Sequence, residues 1–175
     1  MEIAMTIRKR ANCLGNRVGA IAVVDRRIVS TGYNGTPEGT PNCLDGGCHR
    51  CANKDGKYQS GAAYDVCICV HAEQNVLLAA ARFGIRLEGA TLYTTMQPCF
   101  GCAKEMLQTK VKAVYYMHPW TYPDPSKQTE YERLLGFFPE GVHRVELPDP
   151  DATWAVSTLR KPATSAPAAT DDTGH

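Results

Sequence analysis

The chain has 175 residues, a length that suits one domain with a core large enough to need no disulfide staples. It is 43% apolar and 21% charged with a formal net charge of +1, which supplies no global attraction to nucleic acid or to an anionic membrane surface, although a few local cations suffice to hold a small anion. No apolar run approaches the ~20 residues of a membrane span, and residues 1–5 lack the basic flank and apolar stretch of a secretory signal, so a cytoplasmic address without a membrane partner is expected.

Ile3, Ile7, Ala11 and Leu14 stand at helical spacing and predict a helix over residues 2–13. Residues 18–24 and 28–33 read as two strands of an antiparallel hairpin, turning at Arg26 and Arg27. Residues 34–65 are rich in Gly, Pro, Asn and Cys and are too long for a plain loop in a compact domain; the clustered cysteines nominate a metal as what orders the 34–70 insertion. A helix is expected over 71–83, through the Val, Leu and Ala run at 76–81 to a stop at Gly84. A strand at 90–96, a helix from 99 to about 110 behind Pro98, a strand at 111–117, a helix at 128–135 and a strand at 142–147 complete the reading. Strands alternating with helices in this half imply parallel pairing with helices on both faces. Residues 1–160 are thus expected to form one domain. The tail at 161–175, made largely of Ala, Thr, Pro, Ser and Asp, has no core-forming residues and is expected to be disordered.

Eight cysteines in a chain with a cytoplasmic address favour metal or thiol chemistry over disulfides. Two short elements carry the sharpest signal: His71-Ala72-Glu73, and Pro98-Cys99-Phe100-Gly101-Cys102. Zinc takes nitrogen and sulfur ligands in a tetrahedron, and a catalytic site uses three of them, leaving a position for water. His71, Cys99 and Cys102 make that trio. Cysteines three apart at a helix start share one side of the first turn, where free amides and the positive dipole end favour thiolates. Glu73 is too close in sequence to His71 for a comfortable fourth ligand and is better placed to move protons beside the metal. A lone C-x-x-C would suit a purely structural zinc, but H-x-E ahead of P-C-x-x-C is the signature of zinc nucleobase deaminases.

The chain resembles the deoxycytidylate (dCMP) deaminase family of the cytidine deaminase superfamily. The resemblance runs through Val18-Gly19-Ala20-Ile21, the block Gly32-Tyr33-Asn34-Gly35-Thr36-Pro37, His71 to Gly84, Gly89 to Tyr93 and Pro98 to Lys104, and covers roughly residues 3–147. It implies a three-layer α/β/α fold with a mixed sheet of about five strands. It also implies hydrolytic deamination of dCMP to dUMP with release of ammonia, by a zinc-bound hydroxide with Glu73 as proton shuttle, supplying dUMP for thymidylate synthesis. Asn34 then contacts the sugar, with a turn role as the alternative. The backbone amide of Ala72 is a further donor. Arg10 falls where many members carry an Arg and is a candidate for the 5′-phosphate, as a guanidinium fork suits phosphate oxygens. Tyr122 resembles a family aromatic near the base, with Trp120 as its rival. Arg82 matches a helix-end Arg and points to a subunit interface or regulatory role. A homo-oligomer, hexamer or dimer, and dCTP and dTTP as effectors are implied likewise.

Six cysteines remain. Some members of the family hold a second, structural zinc from places that Cys13, Cys43 and Cys69 match, with Cys48, Cys51, Cys67 or His49 as a fourth ligand. Local spacing offers another grouping, a knuckle of Cys48-His49-Arg50-Cys51 completed by Cys67 and Cys69. Both sets stay open at the level of sequence. The rival functions are a nucleic-acid editor, disfavoured by the near-zero charge, a deaminase of CMP, dCTP, cytidine or a modified pyrimidine, and a non-enzymatic zinc scaffold.

Overall fold

The computed structural model describes residues 1–53, 58, 63–122 and 124–160; part of the insertion and the whole tail expected to lack structure lie outside the described residues. Five strands form one mixed sheet in the order β2-β1-β3-β4-β5. Strands β1 (Gly19–Val24) and β2 (Arg27–Tyr33) are the expected hairpin. Strand β3 (Thr91–Met96) pairs antiparallel with β1, and β4 (Ala113–His118) and β5 (Val142–Arg144) follow it in parallel. The helices are α1 (Glu2–Arg8), a short α2 (His49–Ala52), α3 (Ala72–Arg82), α4 (Phe100–Gln108), α5 (Pro125–Leu135) and a short α6 (Ala152–Ala155). None of the helices among the described residues is long and apolar enough to cross a membrane.

Two glycines set the layers. Gly19 and Gly32 sit on opposite faces of the hairpin, because Gly19 pairs with Tyr33 and Gly32 with Ala20. A Cβ on Gly19 would lie 2.2 Å from the Ala4 carbonyl oxygen of α1, and one on Gly32 the same distance from the Ala72 oxygen of α3. Helix backbone therefore packs directly on strand backbone on both faces. The α3 face holds the main core: Ala20, Ala22, Leu92 and Val114 from the sheet meet Val76, Leu77 and Ala80 of α3 and Ala103 and Met106 of α4, all buried. Each large apolar side chain buried there contributes roughly 1.5–3 kcal/mol.

Several boundaries differ from the sequence reading, each for a local reason. Helix α1 ends at Arg8 rather than at residue 13. The chain is drawn out of the helix by Asn12, whose N–H donates to the Asn34 carbonyl and whose side chain bonds Asn42 and the Cys43 amide. The hairpin turn is Asp25-Arg26, both at positive φ, and Arg27 already belongs to β2. Helix α5 begins at Pro125, earlier than expected, because Asp124 caps it by accepting from the Ser126 amide at 3.0 Å. Strand β5 stops at Arg144. The chain then passes Pro148, which has no N–H to give a ladder, and returns across the molecule. That return was not expected: Ala155 and Val156 enter the core, and Arg160 donates to the carbonyls of Leu14 and Gly15 at 2.8 and 2.6 Å.

Candidate active site and cysteine cluster

Helices α3 and α4 start at one place. His71 caps α3 and Cys99 caps α4, with Cys102 one turn further on. Gln74 fixes the entry to α3 by accepting from the His71 amide at 3.0 Å, and its side-chain amide donates to Glu105 of α4 at 3.0 Å. Tyr131 of α5, fully buried, donates to the Pro98 carbonyl and holds the turn into α4. These contacts bring the three expected ligand atoms together. His71 Nδ1 lies 3.4 Å from Cys99 Sγ and 3.4 Å from Cys102 Sγ, and the two sulfurs are 3.6 Å apart.

Those edges fit a zinc ion. A tetrahedral centre with Zn–S near ~2.3 Å and Zn–N near ~2.0 Å has S···S edges of about 3.8 Å and N···S edges of about 3.5 Å. Two positive helix ends face the trio, which suits thiolates. Cys99 is drawn down to about 4, chiefly by its hydrogen bond with Cys102 and then by His71, against the cost of burial. Burial opposes a charge on His71, yet the Cys99 sulfur beside it outweighs that and raises it to about 9. Glu73 is buried beside the trio, and burial pushes its carboxyl up to about 7.

A pocket opens over this centre, and its lining includes Asn34, Arg50, Ala72, Glu73, Trp120 and Ser157 together with His71 and Cys99. Asn34 is buried, accepts from the Val18 amide at 2.7 Å and donates to the Asn16 carbonyl at 2.8 Å, so it fastens the loop before β1 as well as lining the pocket. Ala72 occupies the first helical position, where a backbone N–H has no intrahelical acceptor. Of the two aromatic candidates, Trp120 lines the pocket, while Tyr122 packs behind it with ring centroids 4.4 Å apart. Arg10 is exposed, 5.9 Å over the Tyr33 ring, and is not among the lining residues. Arg82 is exposed at the end of α3 and pairs with Glu38 at 3.3 Å. Sequence reasoning did not single out Arg50 or Ser157. Arg50, on α2, is buried and is the one Arg or Lys among the described residues that line the pocket.

The other six cysteines form a second, separate cluster, buried except for Cys67. Cys13, Cys43, Cys51 and Cys69 have all four sulfurs within 4.8 Å of one another, and so do Cys48, Cys51, Cys67 and Cys69. His49, offered above as an alternative ligand, belongs to neither set. The cluster joins the turn after α1, the two ends of the insertion and α2. Four of its members, Cys13, Cys51, Cys67 and Cys69, also line the pocket.

Comparison with known proteins agrees with this geometry. The family model described as the cytidine and deoxycytidylate deaminase zinc-binding region matches residues 1–118. The deoxycytidylate deaminase of Schizosaccharomyces pombe is 42% identical over 116 residues, which are 66% of this chain and 35% of that protein. That of Mycobacterium phage D29 is 38% identical over 123 residues, covering 66% of this chain and 89% of the phage enzyme. The crystal structure of dCMP deaminase from cyanophage S-TIM5 in complex with dCMP and dUMP matches at a TM-score of 0.61 and 28% identity, over 82% of this chain and 92% of that one. The chain thus spans little more than a third of the length of its yeast relatives and most of the length of its phage relatives.

Proposed function

Because the chain belongs to the cytidine and deoxycytidylate deaminase zinc-binding family, we propose that it is a zinc-dependent hydrolase converting dCMP and water to dUMP and ammonia. The observation that carries this reading is the trio of His71, Cys99 and Cys102 on two facing helix starts, with buried Glu73 beside it in a pocket. When bound, zinc supplies a Lewis acid that makes water nucleophilic near neutral pH. This chain's residues do the rest. Glu73 takes a proton from the attacking water, passes one to ring N3, and then assists the departing amine at C4. The Ala72 amide and the free amides at the start of α4 stabilise the tetrahedral carbon's oxygen. Trp120 walls the base, and Asn34 reaches the sugar with the hydrogen-bonding capacity left after its two backbone contacts.

For the phosphate, the pocket favours Arg50 over Arg10. Arg50 stands in the lining, whereas Arg10 faces solvent. Residues 1–160 act as one catalytic domain, with a structural metal at the cysteine cluster closing the insertion. Exposed Leu78 and Phe83, on and just after α3 beside Arg82, support a homo-oligomer.

The test is a substrate panel of dCMP, CMP, dCTP and deoxycytidine, each with and without dCTP and dTTP as effectors. Deamination of dCMP in preference to the others is expected. Glu73→Gln should lower the rate by roughly 10²–10⁴-fold while the zinc content stays the same. Activity retained in that variant would overturn the mechanism, and faster turnover of CMP or deoxycytidine would reassign the substrate.

A further inference from the structure

The two cysteine tetrads are not rivals: they share an edge. Cys51 and Cys69 belong to both, Cys13 and Cys43 only to the first, and Cys48 and Cys67 only to the second. From this we infer that the cluster holds two zinc ions, each in a tetrahedron of four sulfurs, bridged by the thiolates of Cys51 and Cys69. This deepens the reading of a structural metal given above by fixing the number of ions and the role of each cysteine.

Three observations support it. First, the recorded sulfur separations are those of tetrahedral edges: 3.8 Å for Cys13–Cys51, 3.9 Å for Cys51–Cys69, 3.7 Å for Cys51–Cys67 and 3.8 Å for Cys48–Cys67. A zinc tetrathiolate has edges of about 3.8 Å, whereas a disulfide joins its sulfurs at about 2.05 Å. Second, Cys51 lies within contact distance of partners on both sides, as a bridging sulfur must. Third, the charge favours two ions. Six thiolates with two divalent cations carry a formal −2, the same as a single zinc on four thiolates. One zinc on either tetrad would leave a pair of sulfurs, Cys13 with Cys43 or Cys48 with Cys67, packed against thiolates with no cation of their own. Binding is balanced by protons: six thiols release six protons as two zinc ions enter.

The architecture gives the cluster a purpose. Between Tyr33 and Ala72 the described residues hold only an isolated bridge of Gly35 with Val70 and short helical turns. The tetrad of Cys13, Cys43, Cys51 and Cys69 ties the turn after α1 and the helix α2 to the stretch before His71. The second ion adds Cys48, which caps α2, and Cys67, and so holds α2 at both its start and its third residue. Together the two ions set α2, and with it Arg50, against the pocket wall.

The experiment is zinc analysis of the purified 175-residue chain, with X-ray absorption at the zinc edge. Three zincs per chain are expected, one at His71, Cys99 and Cys102 and two in the cluster, with a metal–metal scattering path. Cys43→Ser and Cys67→Ser, each altering one tetrad only, should both lower the count. A count of two or fewer in the unaltered chain, no metal–metal path, or iron in place of zinc would overturn the proposal. So would an unchanged count in either serine variant. Should those variants fail to fold, the unaltered chain still decides through its count and its scattering path. The outcome is separable from the deaminase reading, because a chain inactive on dCMP but holding three zincs would sink only that reading.

Discussion

The placement of Arg50 makes the phosphate assignment testable at a single side chain. A charged hydrogen bond to a phosphate contributes about 1.5–3 kcal/mol, or roughly 10–150-fold in kcat/KM. Arg50→Gln should impose that loss on dCMP and leave deoxycytidine, which has no phosphate, within a few-fold. Equal losses on both would mean that Arg50 acts by holding the pocket's shape, and a selective loss in Arg10→Gln instead would return the role to that residue. The contrast between these two arginines explains what could be read from the sequence. His71, Glu73, Cys99 and Cys102 were legible because their spacing is the spacing of a helix start, so local geometry already encodes the site. Arg50 was not, since its distance in sequence from Glu73 says nothing; the cysteines that fold the insertion back decide where it lands. The same blindness hid Arg8. Beside Lys9 and Arg10 it reads as a solvated helix residue, yet it is fully buried.

At the level of elements, the alternation of apolar residues and the order of strands and helices gave the hairpin, the parallel pairing and the three layers, because periodicity is a local property of each segment. Boundaries set by distant partners were not visible, as α1 and the returning segment at 148–160 illustrate. The hairpin turn is a case where local chemistry works against the observed geometry. With Val24 paired to Arg27, the two loop residues are Asp25 at φ 47° and Arg26 at φ 63°. Two-residue hairpin loops of this kind favour glycine at the second position. An L-residue with a Cβ in the left-handed region is disfavoured by about 1–2 kcal/mol, part of which glycine gives back through its freer unfolded chain. Arg26 is exposed, so its side chain holds no core contact. Arg26→Gly should therefore stabilise the protein by up to about 1 kcal/mol, a rise in melting temperature of roughly 2–4 °C for a domain of this size. A fall in melting temperature would show that the arginine contributes something beyond its backbone.

The molecule as a whole is tied together by a polar network at the C-terminal end of β4. Asp149 receives a bidentate pair from Arg8 of α1, at 2.8 and 2.7 Å, and lies 2.7 Å from His118 Nε2 at the end of β4. The Arg8 and Asp149 side chains are 0% and 3% exposed. The first helix, a central strand and the returning segment thus converge on a single carboxylate. Removing one partner of a buried pair leaves the other charge uncompensated and costs about 3–5 kcal/mol, so Asp149→Asn should lower stability by that order at neutral pH. The pH dependence has a definite sign. The Arg8 guanidinium holds the Asp149 carboxyl well below the usual carboxylate range in the folded protein, whereas in the unfolded chain it titrates near ~3.9. A depressed folded value means that the pair's contribution is fully present above about pH 5 and is lost as pH falls below about 4 towards the folded value. Denaturant melts of both proteins should show a difference that shrinks as pH falls from 5 towards 3. Comparing the two chains cancels the protonation of the zinc thiolates, which both share. A difference that stays constant down to pH 3 would mean that the loss comes from the variant's amide N–H2 group facing the Arg8 donors, not from the missing charge.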